Sequence, residues 1–500
     1  METIINQHTV VPTLHRRKLL TVLGSISLAS IFSSCTVLNN NNNNNNNIND
    51  KNYINNISNK NNIANKDSKN SKDSKDSKDN INSANNTNLQ QDSYLKTQAL
   101  TQIPSLGHVV IVGGGFGGAT AAKYLKLWGD GRIAVTLIER QAYFISCPMS
   151  NLVIGGSRQL SELTFSYEGL KQLGVTVIHA EVTEIDSLNK RVIVNNTSMQ
   201  SLAYDRLILS PGVDFLLDSI DGFDAIAQKT VLHAWKAGVQ TQQLRQQIED
   251  IPDGGIVAIS IPKAPYRCPP GPYERACQIA HYFKKHKPNS KVVILDANED
   301  IQSKKVLFTH EWDTAYKGMI EYQNRWELKR LNATTRTLEN QFGDSITADV
   351  INIIPPMQAG IIAYKAGVVN STDKRWCQVD WLSMESTAVK YIHILGDAVQ
   401  AAPGMPKSGH IANQHGKIAA SAIVELFNNR TPLPLTIMNT CYSYIDAARA
   451  IHVASTHRFD KEQKVPVIIK NTGGLSQEAN ILEGKYAWAW AQTIWQDMLS

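Results

Sequence analysis

The stretch His108-Val109-Val110-Ile111-Val112-Gly113-Gly114-Gly115-Phe116-Gly117-Gly118 decides the fold. It reads as a short apolar strand, a glycine loop and the start of a helix over residues 119–127, whose first residues are small. A second apolar run, Ile133–Ile138, follows and is closed by Glu139. Together these form the dinucleotide fingerprint in its required strand–loop–helix–strand context. Gly113 allows the tight turn, Gly115 lets a pyrophosphate approach the backbone, and Gly118 lets helix and strand pack closely. The helix N-terminus faces the phosphates, and Glu139 is expected to hydrogen-bond the ribose hydroxyls. A lone GxGxxG is a weak signal; between a strand and a helix, with an acid closing the next strand, it is strong.

Two segments further out extend the pattern. Tyr204-Asp205-Arg206-Leu207-Ile208-Leu209-Ser210-Pro211-Gly212 reads as a strand entering a tight turn, and Tyr391-Ile392-His393-Ile394-Leu395-Gly396-Asp397-Ala398 as a strand ending in Gly-Asp before a helix. Both resemble the second and third FAD motifs of the two-dinucleotide-domain flavoprotein superfamily, which includes glutathione reductase. The resemblance implies FAD as the cofactor, with Gly212 and Gly396 in its turns and Asp397 holding the ribityl chain.

A second βαβ unit is expected from the strand Ile256–Ile261, a helix over residues 273–285 and the strand Lys291–Asp296. Its connection is Pro262-Lys263-Ala264-Pro265-Tyr266-Arg267-Cys268-Pro269-Pro270-Gly271-Pro272. Proline has no N–H to offer a phosphate, and its ring blocks close approach. A nicotinamide cofactor is therefore not expected there. Cys268 occupies the turn instead, which suggests thiol chemistry beside a flavin.

The chain has 6 cysteines. No CxxCH occurs, so no haem is expected on this chain, and no CxxC pair or histidine cluster suggests a metal site. The segments Cys147-Pro148-Met149-Ser150-Asn151-Leu152-Val153-Ile154-Gly155-Gly156, Tyr266-Arg267-Cys268-Pro269-Pro270-Gly271-Pro272-Tyr273-Glu274-Arg275-Ala276, Trp376-Cys377-Gln378-Val379-Asp380 and Met405-Pro406-Lys407-Ser408-Gly409-His410 resemble the flavoprotein subunit of flavocytochrome c sulfide dehydrogenase. The resemblance runs from about Gly107 to the carboxyl terminus. It implies that Cys147 forms a thioether to the flavin 8α-methyl, although Pro148 stands where some members have Tyr. It implies that Cys268 and Cys377 form a redox-active disulfide, that Glu274 is the neighbouring base, and that Lys407 passes the isoalloxazine ring. Cys277 and Cys441 are read as small buried residues, and His410 and His415 as packing residues.

The chemistry implied is attack of hydrosulfide on a disulfide sulfur, leaving a persulfide and a thiolate. FAD then takes the electron pair and releases electrons singly to a separate c-type cytochrome subunit. The alternatives are sulfide:quinone oxidoreduction, a protein-bound sulfur carrier as substrate, and a non-catalytic flavoprotein partner of a sulfur-oxidising system.

Before the fold, residues 1–35 read as a twin-arginine signal: Arg16-Arg17 precede an apolar run too short to span a membrane. That route exports proteins already folded around a cofactor, so a periplasmic location is expected. Cys35 is either a lipid-anchored residue or a neighbour of ordinary cleavage. Residues 36–105, with an unbroken asparagine run at 39–47, read as a disordered tether. The net charge of +6 is mild and dispersed, so no nucleic-acid partner is expected. The expected fold class is α/β: an FAD-binding domain over 106–224 and 346–430, a second Rossmann-like domain over 225–345 without a nucleotide glycine loop, and a C-terminal α+β interface domain over 431–500. Tyr486, Trp488, Trp490 and Trp495 form an aromatic cluster in that last part, suited to packing or to docking a cytochrome subunit.

Overall fold

The computed structural model describes residues 104–195 and 200–500. The expected signal, Cys35 and the tether up to residue 103 lie outside the described residues.

The chain opens with β1 (Gly107–Val112), α1 (Phe116–Trp128) and β2 (Ile133–Ile138). The short α2 (Ser150–Ile154), then β3 (Thr176–Ile178) and β4 (Arg206–Leu209), follow. After α3 (Val239–Asp250) comes the second unit: β5 (Ile256–Ile261), α4 (Gly271–His286), β6 (Lys291–Asp296), β7 (Ile320–Gln323) and β8 (Val350–Ile353). The chain then returns to the first sheet with β9 (Val379–Asp380), β10 (Glu385–Ser386) and β11 (Ile392–Ile394), and α5 (Gly409–Phe427) packs on it. It closes with β12 (Ile437–Tyr444), β13 (Ala450–Asp460), β14 (Val465–Ile468), β15 (Gly474–Leu475) and α6 (Ile481–Leu499).

The first sheet has the order β9-β10-β11-β4-β1-β2-β3, with a parallel centre. Val109, Val110 and Ile111 are fully buried there, because helices cover both faces of such a sheet. The second sheet, β7-β6-β5-β8, is wholly parallel. Both βαβ units expected from the sequence are therefore present. The C-terminal sheet is antiparallel, β12-β13-β14, with β15 beside β13. Among the described residues, no helix is long and apolar enough to cross a membrane.

Close packing at the glycine loop has a measurable consequence. Gly113 has φ +99°, and a Cβ on Gly118 would stand 1.9 Å from the Gly113 carbonyl oxygen. Neither backbone can yield without separating α1 from β1. Gly118→Ala is expected to cost about 2–3 kcal/mol, the upper range for overpacking, read as a shift of the denaturant midpoint. An unshifted midpoint would refute the contact.

Candidate functional site

The N-terminal end of α1 and the carboxyl ends of β1, β2 and β11 meet at one crevice, where open α/β sheets bind ligands. Glu139 follows β2. Its Oε2 accepts the Gly114 N–H at 2.7 Å and its Oε1 the Gln141 N–H at 2.9 Å, so the carboxylate is fixed at the mouth of the glycine loop. A Cβ built on Gly115 meets nothing within 4 Å, which leaves the loop face open. Gly212 ends the turn after β4 with φ +64°, and Gly396 the turn after β11 with φ +68°. The Gly396 N–H donates to buried His415 Nδ1 at 3.2 Å.

Asp397 follows at once. Its Oδ1 is shut off from solvent and has no hydrogen-bond partner, and burial raises its pKa. A buried carboxylate oxygen without a partner is costly, and it calls for a hydroxyl donor from a ligand. Lys407 is buried, and its Nζ donates to the carbonyls of Asp397 at 2.8 Å and Val399 at 2.5 Å. It also lies 3.6 Å over the Trp376 ring. Burial lowers its pKa to about 8. The open glycine cradle, the fixed acid and the unpartnered Asp397 oxygen fit FAD, with the ribose at Glu139 and polyol hydroxyls at Asp397.

Cys147 stands just before α2. Its Sγ accepts the Ala237 N–H at 3.4 Å and faces the Arg267 guanidinium, which also donates to the Trp235 carbonyl.

Cys268 sits in the proline-rich loop before α4. Its backbone is left-handed at φ +58°, a conformation costly for a residue with a Cβ and typical of functional sites. Its N–H donates to the Lys407 carbonyl at 2.9 Å, which ties the thiol loop to the segment carrying Asp397 and Lys407. The expected partner of this thiol is corrected by the structure. Cys441 on β12, rather than Cys377, is the thiol beside Cys268, and the two shift each other's acidity. Cys377 is fully buried in a bridge with Val399. Burial pushes its thiol up to about 12, against the pull of Lys407. Cys441, read from sequence as a packing residue, belongs to the site. Cys277 does pack: it is fully buried under the Trp312 indole N–H at 3.3 Å.

Glu274 joins the Cys268–Cys441 pair from the first turn of α4. It is buried; its Oε1 accepts the Tyr444 N–H at 2.7 Å and its Oε2 the Asn151 amide at 2.9 Å. Burial nevertheless raises its pKa. Asn151 also receives Arg275 Nε at 3.0 Å. Buried Arg275 bonds the His233 carbonyl at 3.0 Å, the Ala234 carbonyl at 2.7 Å and Asn352 Oδ1 at 2.7 Å. Lys304, buried, donates to Ser443 Oγ at 2.8 Å and faces both thiols. The two thiols are not equivalent. The Cys441 thiol is drawn down to about 7 by its Cys268 neighbour and then by the Lys304 ammonium. Cys268 is pushed well up by that same neighbour, by burial and by Glu274. Cys441, Lys304, Asn151 and Arg275 carried no role in the sequence reading. Arg275 and Asn151 stood inside the quoted motifs, whereas nothing local marks Cys441 or Lys304.

The second βαβ unit is closed where a nucleotide ribose would be held. Asp296 ends β6, but its Oδ2 accepts Tyr273 at 2.7 Å and Tyr322 at 3.1 Å. Its Oδ1 accepts the backbone N–H of Asn298 at 2.9 Å and its side-chain amide at 2.7 Å.

Comparison with known proteins gives the family and the fold. Residues 107–251 match the pyridine nucleotide-disulphide oxidoreductase family. Residues 241–355 match the central region of the sulfide dehydrogenase (flavocytochrome c) flavoprotein chain, and residues 434–499 the flavin-binding region of flavocytochrome c sulphide dehydrogenase. The sulfide dehydrogenase (flavocytochrome c) flavoprotein chain of Chlorobaculum thiosulfatiphilum is 58% identical over 45 residues, 9% of this chain and 92% of that relative. Among solved structures, the sulfide:quinone oxidoreductase of Aquifex aeolicus superposes with a TM-score of 0.62 at 18% identity, covering 78% of this chain and 91% of that one. A NAD-dependent persulfide reductase from A. fulgidus superposes with a TM-score of 0.53 at 16% identity, covering 78% and 77% respectively; both likenesses concern the fold alone. With its fold, crevice and matched segments in agreement, the chain is a flavoprotein oxidoreductase that belongs to the family of sulfide dehydrogenase (flavocytochrome c) flavoprotein chains.

Proposed function

We propose that this chain oxidises hydrosulfide to sulfane sulfur through a Cys268–Cys441 cystine and delivers the electrons, by way of FAD, to a separate c-type cytochrome subunit. The observation that carries the reading is that two free cysteines, Cys268 and Cys441, are neighbours with Glu274 beside them. Both cysteines are half-buried. In the oxidised pair, hydrosulfide attacks one sulfur, the S–S bond breaks, and a persulfide and a thiolate remain. Sulfide has then lost two electrons and the cystine has gained them. The Glu274 carboxylate sits to take the proton left on the persulfide. FAD, when bound, accepts an electron pair and releases electrons one at a time. Lys407, Asp397 and the glycine loop hold and orient it, and Cys147 is the residue for a thioether tether. The relatives' name, flavocytochrome c, supports a cytochrome acceptor. The twin-arginine stretch supports export to the periplasm of the protein folded around its cofactor, where oxidising conditions keep the pair as a cystine.

The test uses purified full-length protein holding FAD. Sulfide is expected to bleach the flavin absorbance, and added cytochrome c to restore it while becoming reduced. Turnover with a quinone and none with cytochrome c would replace the acceptor in this reading. No bleaching by sulfide at all would overturn the reaction.

A further inference from the structure

We infer that Lys304 is the positioning cation that sets the polarity of the Cys268–Cys441 pair, making Cys441 the sulfur that leaves as thiolate and Cys268 the sulfur that hydrosulfide attacks. This rests on the cystine proposed above and assigns it a direction.

Lys304 comes from the residue preceding the helix Lys305–Asp313, in a left-handed conformation with φ +58°. It is 4% exposed, although a lysine is almost never buried without a partner. Its one hydrogen bond, at 2.8 Å, goes to the neutral Ser443 hydroxyl. Ser443 and Cys441 are two residues apart on β12, and alternation along a strand puts both on one face. The ammonium is thus tied by its serine contact to the side of the strand from which the Cys441 sulfur projects.

Charged and titratable groups approach this point from every element around it. Cys268 comes from the proline-rich loop, Glu274 from α4 and Glu483 from α6. Arg267 faces Cys268. Arg267 is shared with Cys147 and the Trp235 carbonyl, Lys304 acts on Cys441, and Glu274 disfavours charge on either thiol. Cys441 is the more acidic thiol of the pair, first through its contact with Cys268 and then through Lys304, the cation that acts on its thiolate.

Leaving-group acidity decides which sulfur of a disulfide departs. Hydrosulfide therefore forms its new S–S bond to Cys268 Sγ, the Cys268–Cys441 bond breaks, and the electron pair of that bond stays on Cys441 beside Lys304. The persulfide resides on Cys268. Two electrons leave for FAD as the Cys441 sulfur bonds the outer sulfur of the Cys268 persulfide, the S–H proton is released, and a trisulfide remains.

The experiment compares FAD-loaded full-length wild type with Lys304→Gln, Lys304→Met and Lys304→Arg. Each protein is reduced with a phosphine, and iodoacetamide alkylation of Cys441 and Cys268 is followed against pH by peptide mass spectrometry. In the wild type, Cys441 is expected to react first, with half-maximal rate near pH 7, and Cys268 only at much higher pH. Lys304→Gln keeps a donor for Ser443 but removes the charge. It and Lys304→Met are expected to move the Cys441 profile up by a unit or more, a fall of about tenfold in rate at pH 6. Lys304→Arg is expected to restore it. A Gln variant with the wild-type profile would overturn the inference, because the hydrogen bond and not the charge would then matter. Cys268 reacting first in the wild type would overturn it as well. The underlying reading has its own readout, the Cys268–Cys441 cystine peptide in air-oxidised protein. Its absence would sink that reading together with this one. Its presence with an unmoved alkylation profile would sink the Lys304 assignment alone.

Discussion

Cys441→Ser is expected to lower sulfide-dependent flavin reduction by a factor on the order of 10³ or more, while FAD stays bound. Residues that act as one chemical unit fail together, so Cys268→Ser is expected to match it and the double variant to add little. The contrast that gives the experiment its force is Cys377→Ser, which is expected to leave the rate within about threefold of wild type. Cys377 is fully buried, bridged to Val399, and held as a neutral thiol by burial. It is positioned as a packing residue near Lys407. Stopped-flow absorbance of the flavin after mixing with sulfide reads all four variants. Should Cys377→Ser abolish reduction and Cys441→Ser spare it, the thiol pairing described here is wrong.

Arg275→Lys is expected to be among the most damaging single changes for stability, at about 3–5 kcal/mol. The guanidinium meets Asn151, Asn352 and two backbone carbonyls at 2.7–3.0 Å, and its plane lies 4.8 Å from the Trp235 ring. A lysine keeps the charge but has three donors on one atom, so it cannot reach acceptors spread around a planar fork. Buried acceptors left without donors carry the cost. Asn151 is also a partner of Glu274, so the same variant is expected to slow flavin reduction by sulfide. Denaturant unfolding followed by flavin fluorescence checks the first effect and stopped-flow the second. Unchanged unfolding would mean that these bonds contribute little.

The two βαβ units were legible because their signals are local. Each is an apolar strand, a loop of decisive residues and a helix within about thirty positions, and helices on both faces of the sheet make those strands continuously apolar. Cys268 was legible for the same reason, as a thiol among prolines where glycines would otherwise stand. Its partner was not. Glu274 and Tyr444 meet across 170 residues of chain, and Cys441 arrives at the same place on a strand of ordinary alternation. Cys377 was the more conspicuous thiol, sitting beside a tryptophan in a recognised motif, but an isolated bridge ties its backbone to Val399 and its side chain is fully buried. Lys304 was hidden more deeply. A lysine before a helix looks solvated until the fold places the C-terminal sheet over it.

The closed carboxylate of Asp296 has a consequence for how this lineage can change. A receptive ribose site would require freeing that acid from two tyrosine hydroxyls and from Asn298. It would also require clearing prolines 262, 265, 269, 270 and 272 from the loop before it. No intermediate along that path gains a ligand, yet each exposes a buried polar group or disturbs the Cys268 turn. Point mutation is therefore not expected to open a nicotinamide ribose site in this protein.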